Sequence, residues 1–237
     1  MSSMFPLIVS GAEARRRGNR LIGPIDLQLE GKGATVVVGP NGSGKTTLLN
    51  LLHGTVRLAR GHVQWQVNTE DARRMQSFVF QRPVMLRRSV IDNLAYPLVI
   101  RGQSARTARE AAASWAERIG LSAMKDRSAT SLSGGEQQKL ALARALITEP
   151  VVLFLDEPSA SLDGRATRDI ENLLLEQKAA GTRIIMSTHD MGQAKRLADD
   201  VVFLCNGHVA EKTSAAEFFA QPATLQAQAF LNGDIVE

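Results

Sequence analysis

The run Ala34-Thr35-Val36-Val37-Val38 leads into Gly39-Pro40-Asn41-Gly42-Ser43-Gly44-Lys45-Thr46-Thr47, and Leu48-Leu49-Asn50-Leu51-Leu52 follows. An apolar, β-branched run, a glycine-rich turn and a leucine-rich stretch predict a strand that feeds a helix through a tight loop. Few features constrain a fold more, because this order belongs to a parallel α/β sheet with the loop at the carboxyl end of a strand. Gly39, Gly42 and Gly44 permit backbone conformations closed to other residues, so successive N–H groups turn inward around an anion. The helix adds its unpaired N–H groups and the positive end of its dipole. The spacing fits G-x-x-x-x-G-K-[ST], which assigns Lys45 to the β- and γ-phosphates and the Thr46 hydroxyl to Mg²⁺. Residues 39–47 are therefore expected to hold a nucleoside triphosphate.

Val151-Val152-Leu153-Phe154-Leu155 is a continuous apolar run, the pattern of a strand buried on both faces, and it ends in Asp156-Glu157-Pro158. Acids at the carboxyl end of such a strand lie where open α/β sheets place ligands. Asp156 suits Mg²⁺, usually through water, and Glu157 suits polarising an attacking water. Leu132-Ser133-Gly134-Gly135-Glu136-Gln137-Gln138 opens a further helix that ends near Glu149-Pro150. Ser133 and the two glycines form a second helix N-terminus able to receive an anion, and the same letters also read as a capping box between Ser133 and Glu136.

Two more polar residues follow core strands. Gln81 closes Phe78-Val79-Phe80 and offers an amide oxygen to Mg²⁺ and an amide N–H to the water. His189 follows Arg183-Ile184-Ile185-Met186-Ser187, at the sheet edge that also carries Asp156. An imidazole there can contact the γ-phosphate and orient Glu157. His53, His62 and His208 read as structural.

Together these motifs make the chain resemble the ATP-binding cassette (ABC) ATPases, the motor subunits of ABC transporters, over nearly its whole length. Residues 39–47 match the Walker A loop, 151–157 the Walker B strand and 132–138 the signature motif. Gln81 matches the glutamine loop, Ser159 to Asp163 the D-loop and His189 the switch histidine. The resemblance implies an α/β P-loop NTPase (RecA-like) core with an antiparallel β subdomain, residues 1–237 forming one domain with a helical subdomain inserted at 82–149. It implies a head-to-tail dimer of two copies with ATP and Mg²⁺ at the interface. Each ATP would be held by one copy's phosphate loop and the other's Ser133-Gly134-Gly135. It further implies membrane permease subunits docking near Val84-Met85-Leu86 beside Arg87 and Arg88, and indirectly an extracytoplasmic binding protein. The stretch after Gln81 is similar to cassettes of importers for oxyanions such as tungstate, molybdate or phosphate. One departure is clear: the family's adenine-stacking aromatic is missing, and Arg15, Arg16 and Arg17 stand in that region, either stacking on the base or forming a solvated turn.

Composition narrows the alternatives. The 237 residues are 44% hydrophobic and 22% charged with net charge +4, which calls for no nucleic-acid partner. No apolar run approaches the roughly 18 residues that cross a bilayer, and Met1 to Val9 lacks a signal-peptide pattern. The single cysteine, Cys205, excludes an internal disulfide and suits a reducing cytosol. The expected location is cytoplasmic, peripheral on the inner face of the cell membrane. A soluble ABC ATPase of DNA repair or translation is the competing class, but only 51 residues separate Gln81 from Ser133, too few for a coiled-coil arm. A cassette serving an exporter or a cell-division complex stays open.

Strand patterns are also expected at Met4 to Val9, Ile25 to Leu29 and Gly61 to Val67. The strand signal vanishes from Arg82 to Glu149. Helices are expected over 89–98, 104–119, 164–180 and 191–198, a hairpin at Asn206-Gly207, and short helical stretches after Ser214 and Pro222.

Overall fold

The computed structural model describes residues 4–160 and 162–234; Met1 to Ser3 of the N-terminal stretch and Ser161 of the D-loop match lie outside them. A six-stranded sheet forms the centre, with β5 (Gln76–Val79), β6 (Val152–Asp156), β7 (Arg183–Ser187), β3 (Ala34–Val38), β8 (Asp200–Cys205) and β9 (His208–Ser214) in that spatial order. The first five run parallel, and β9 pairs antiparallel with β8. All residues of β3, β6 and β7 are buried, which explains their unbroken apolar runs. Asn206 and Gly207 join β8 to β9 with φ of 47° and 77°, the left-handed pair that a two-residue hairpin turn requires.

Alternate residues of these strands face two separate apolar layers. Val36, Val38, Leu153, Leu155, Ile184 and Met186 face one core, shared with α3 (Val90–Ile100), α4 (Ala105–Arg118), α5 (Gly134–Leu146) and α6 (Gly164–Ala179). Val37, Phe154 and Ile185 face the other, built with α1 (Lys45–His53) and an antiparallel sheet. That sheet orders β2 (Asn19–Leu29), β1 (Leu7–Arg16) and β4 (Leu58–Gln64). Each apolar residue buried completely on either face contributes about 1.5–3 kcal/mol, so the sheet is stabilised from both sides at once.

The strand expected over Met4 to Val9 begins later, at Leu7, and continues to Arg16, so Arg15 and Arg16 lie within it. Three register irregularities between Val9 and Arg15 break the period-two pattern, which is why the sequence hides the extension. A short helix, α2 (Thr69–Met75), was not expected; Asn68 caps it by accepting from the Asp71 N–H at 2.9 Å. Between β5 and β6 the described chain holds helices and one isolated bridge, Ser89 with Ser128. In the C-terminal part α7 (Met191–Leu197), α8 (Ala215–Ala220) and α9 (Leu225–Asn232) fall where helical stretches are expected.

Candidate functional site

The carboxyl ends of β3, β5, β6 and β7 meet at one edge of the sheet, and a concavity of about 630 Å³ lies there. Leu21, Asn41, Gly42, Gly44, Lys45, Thr46, Thr47, Gln81, Glu157 and His189 line it. Gly39 and Gly44 take φ of 149° and 102°, and Gly42 takes 80°. At Gly39 glycine is obligatory also for space, since a Cβ would lie 2.0 Å from the Leu204 carbonyl oxygen. Pro40 closes the turn by accepting the Ser43 N–H at 3.2 Å. The Ser43 hydroxyl is buried and has no partner among the described residues, which fits a loop built to surround an oxyanion.

Lys45 does not reach outward. Its Nζ donates to the carbonyls of Gly39 at 2.9 Å and Pro40 at 3.1 Å. Burial lowers its pKa, while the charges of Glu157 and Asp156 pull it back up. Thr46 donates through Oγ1 to Asp156 Oδ1 at 3.0 Å, so a hydroxyl and a carboxylate stand side by side. These are hard oxygen donors, and with the Gln81 amide oxygen they suit Mg²⁺. Among the described residues no cluster of three or more His, Cys, Asp or Glu side chains could hold a metal by itself.

Glu157 adopts a left-handed backbone, φ 46°, uncommon outside glycine and asparagine. Its N–H donates to the Ser187 carbonyl and to the Ser187 hydroxyl, each at 3.1 Å. Its Oε2 accepts from Gln81 Nε2 at 3.0 Å and lies 3.1 Å from His189 Nδ1. Gln81, Glu157 and His189 thus converge on one carboxylate oxygen from the ends of three neighbouring strands.

Ser133, Gly134 and Gly135 do not join this group. They line a separate concavity of about 310 Å³ with Leu162, Asp163, Arg165 and Ala166. Ser133 and Glu136 do form the capping box: Oγ accepts the Glu136 N–H at 3.4 Å and the Glu136 carboxylate accepts the Ser133 N–H at 2.8 Å. The Ser133 N–H and the Ser133 hydroxyl, which also donates to Glu136 Oε2 at 2.8 Å, hold the Glu136 carboxyl below its usual pKa. Arg15 pairs with Glu13 at 2.9 Å, and none of Arg15 to Arg17 lines the nucleotide concavity. Leu21, 42% exposed, forms its wall there, a residue that sequence reasoning missed because the irregular hairpin register is not legible in the letters.

Beyond Gln81 an apolar groove of about 370 Å³ runs between the sheet edge and the helices, lined by Phe78, Phe80, Val84, Leu86, Tyr96 and Ile100 among others. Met85, expected to line it with its neighbours, packs instead against the helical core, as alternation along an extended segment dictates. Arg87 and Arg88 leave the lining too; Arg88 lies 5.4 Å from the Tyr96 ring centroid. Arg144 supplies the cation, donating to the Val84 carbonyl at 2.7 Å and to Asn93 at 3.1 Å.

A family model described as ABC transporter matches residues 22–160. The tungstate uptake system ATP-binding protein TupC of Peptoclostridium acidaminophilum is 36% identical over 207 residues, 86% of this chain and 97% of its own length. The phosphate import ATP-binding protein PstB 2 of Natronomonas pharaonis is 34% identical over 252 residues, covering 97% and 87%. The solved structure of cbiO1 from Clostridium perfringens, part of the ABC transporter complex cbiONQ, superposes with TM-score 0.80 at 27% identity, covering 92% of each chain. Phosphate loop, strand-end acids and these likenesses agree: the chain belongs to the ABC transporter family, as an ATP-binding ATPase of that family.

Proposed function

We propose that this chain is the ATP-hydrolysing motor subunit of a membrane importer, working as a head-to-tail pair with two ATP molecules between the copies. The observation that carries the reading is the convergence of Gln81, Glu157 and His189 on one oxygen beside the phosphate loop, with Ser133-Gly134-Gly135 on a different surface. One chain then holds the triphosphate and the base, and a second copy supplies the other anion-binding helix end. The relatives named for tungstate and phosphate uptake support an importer and an oxyanion cargo, which this subunit does not itself touch.

In this reading the backbone N–H groups of residues 39–47 and the Lys45 ammonium hold the phosphates. Glu157 takes the proton of the attacking water. Gln81 and His189 fix its carboxylate and keep it aimed. His189 also reaches the γ-phosphate. Thr46, Asp156 and Gln81 would hold Mg²⁺, which supplies charge neutralisation for the phosphates. Residues 82–149 serve as a helical subdomain inserted in the single 1–237 domain. The groove around Phe80, Val84 and Leu86 receives a short apolar segment of a permease at the inner face of the membrane, and the permease in turn answers to an extracytoplasmic binding protein.

The pairing is testable with Glu157→Gln, which should hold ATP unhydrolysed. With Mg-ATP, light scattering should report a dimer that ADP does not support, and Ser133→Arg in the same background should abolish it while monomer affinity for ATP stays unchanged. Equal loss of monomer affinity would mean that Ser133 serves its own chain's nucleotide, and the head-to-tail reading would fall.

A further inference from the structure

We infer that Ser187 is a positioning residue for ATP hydrolysis, one buried hydroxyl that aims both strand-end acids; the inference rests on the reading above of Asp156 and Glu157. The neighbourhood makes a serine unexpected. Ser187 ends β7 with no exposed surface, on the face that carries Ile185. That face packs in the layer of Val37, Leu48 and Phe154. Packing alone would favour an apolar residue there, because a hydroxyl taken out of water must recover its hydrogen bonds.

It recovers both from the catalytic edge. The parallel register sets Ser187 directly beside Asp156. Its Oγ donates to Asp156 Oδ1 at 2.7 Å and accepts the Glu157 N–H at 3.1 Å. The same Oδ1 also accepts from Thr46 at 3.0 Å, so the carboxylate is pinned from two sides. The bond to Glu157 matters for a different reason. Glu157 leaves the strand in the left-handed region, and its N–H is divided between the Ser187 carbonyl and hydroxyl. Without the hydroxyl the Ser187 carbonyl is the one acceptor left to that N–H, at the turn that brings Glu157 to Gln81 and His189. Ser187 touches no reacting atom; it acts through its two neighbours.

Ser187→Ala removes one oxygen and leaves the backbone bond and the packing. In the nucleotide-saturated protein, Mn²⁺ affinity read by electron paramagnetic resonance should fall about 10-fold to 100-fold, as for other partners that orient metal ligands. ATP affinity in the presence of EDTA should be unchanged. Turnover should fall in kcat, with KM within twofold of wild type. Ser187→Thr, which keeps the hydroxyl, should hold Mn²⁺ within threefold of wild type. Unchanged Mn²⁺ affinity and kcat in the alanine variant would overturn the inference. So would a threonine variant as impaired as alanine, or a parallel loss of metal-free ATP affinity, each of which points to a merely structural role. If wild type binds Mn²⁺ with nucleotide yet fails to hydrolyse ATP, the motor reading fails while the metal titration still judges Ser187.

Discussion

Replacing Glu157 separates charge from shape at the point where three strands converge. Glu157→Gln keeps the side-chain length and one oxygen able to accept from Gln81 and His189, now 3.0 and 3.1 Å away, so the geometry survives and only the carboxylate proposed as the base is lost. Loss of a general base costs about 10²–10⁴-fold in rate, or about 3–5 kcal/mol at 1.36 kcal/mol per tenfold. Glu157→Asp keeps the charge but withdraws it by about one ångström, which breaks contact with both partners; a misplacement of that size costs about 10²-fold. The pair of variants therefore brackets the site: glutamine removes chemistry and aspartate removes alignment. Phosphate release under saturating Mg-ATP measures both, and calorimetric titration checks that ATP affinity is retained, since neither change touches the phosphate loop. If the glutamine variant turned over within twofold of wild type, the assignment of Glu157 as base would be refuted. If aspartate lost nothing, the contacts to Gln81 and His189 would have no part in the reaction.

Gly39→Ala should abolish ATP binding, because the new Cβ would meet the Leu204 carbonyl at 2.0 Å; a fluorescent ATP analogue binding it at wild-type affinity would contradict the loop geometry. Arg183→Ala should cost about 2–5 kcal/mol in urea unfolding, from a cavity and the lost bonds to Thr35 and Asp200, and Arg183→Met should cost less because it fills the space. Burial holds the His53 pKa below its ordinary 6.5, so folding favours the neutral ring. The stability this contributes is whole above pH 6.5 and is lost as pH falls from 6.5 through the depressed value. His53→Phe should flatten that part of the profile, and a urea midpoint falling as steeply as wild type's between about pH 7 and 5 would contradict it.

The strand ends that carry Glu157 and His189 are readable because each follows a run buried on both faces, where apolar letters are continuous and a polar residue stands out; Gln81 follows the half-buried edge strand Gln76–Val79 and is marked only by the apolar letters Phe78-Val79-Phe80 before it. Asn206-Gly207 is readable because few residue pairs accept two left-handed conformations in succession. The antiparallel sheet is less legible. Its bulges erase the alternation that would have extended β1 to Arg16, and with it any sign that Leu21 lines the nucleotide concavity. Met85 illustrates a different limit: three apolar letters in a row do not say which of them faces inward. Ser187 leaves no trace at all, because a serine at the end of an apolar run looks like a strand terminus until the register sets it beside Asp156.

β5 is the edge of the six-stranded sheet, and its last ladder partner is the Val79–Leu155 pair. Gln81 lies two residues further on, between Phe80 and Val84, both exposed to the apolar groove. Its 3.0 Å contact with Glu157 is therefore mounted beyond the sheet, on a segment that Arg144 fastens further along at the Val84 carbonyl, 2.7 Å away. A body seated in the groove would press on the same segment, and a displacement of about one ångström would carry the amide beyond hydrogen-bonding reach. Loop motions of this kind occur in nanoseconds to microseconds, so under the proposed function occupancy of the groove would reach Glu157 far faster than a turnover of the usual 1–10³ s⁻¹. A permease segment seated there would then work as a clock input to the chemistry, with a delay set by one loop and not by the fold.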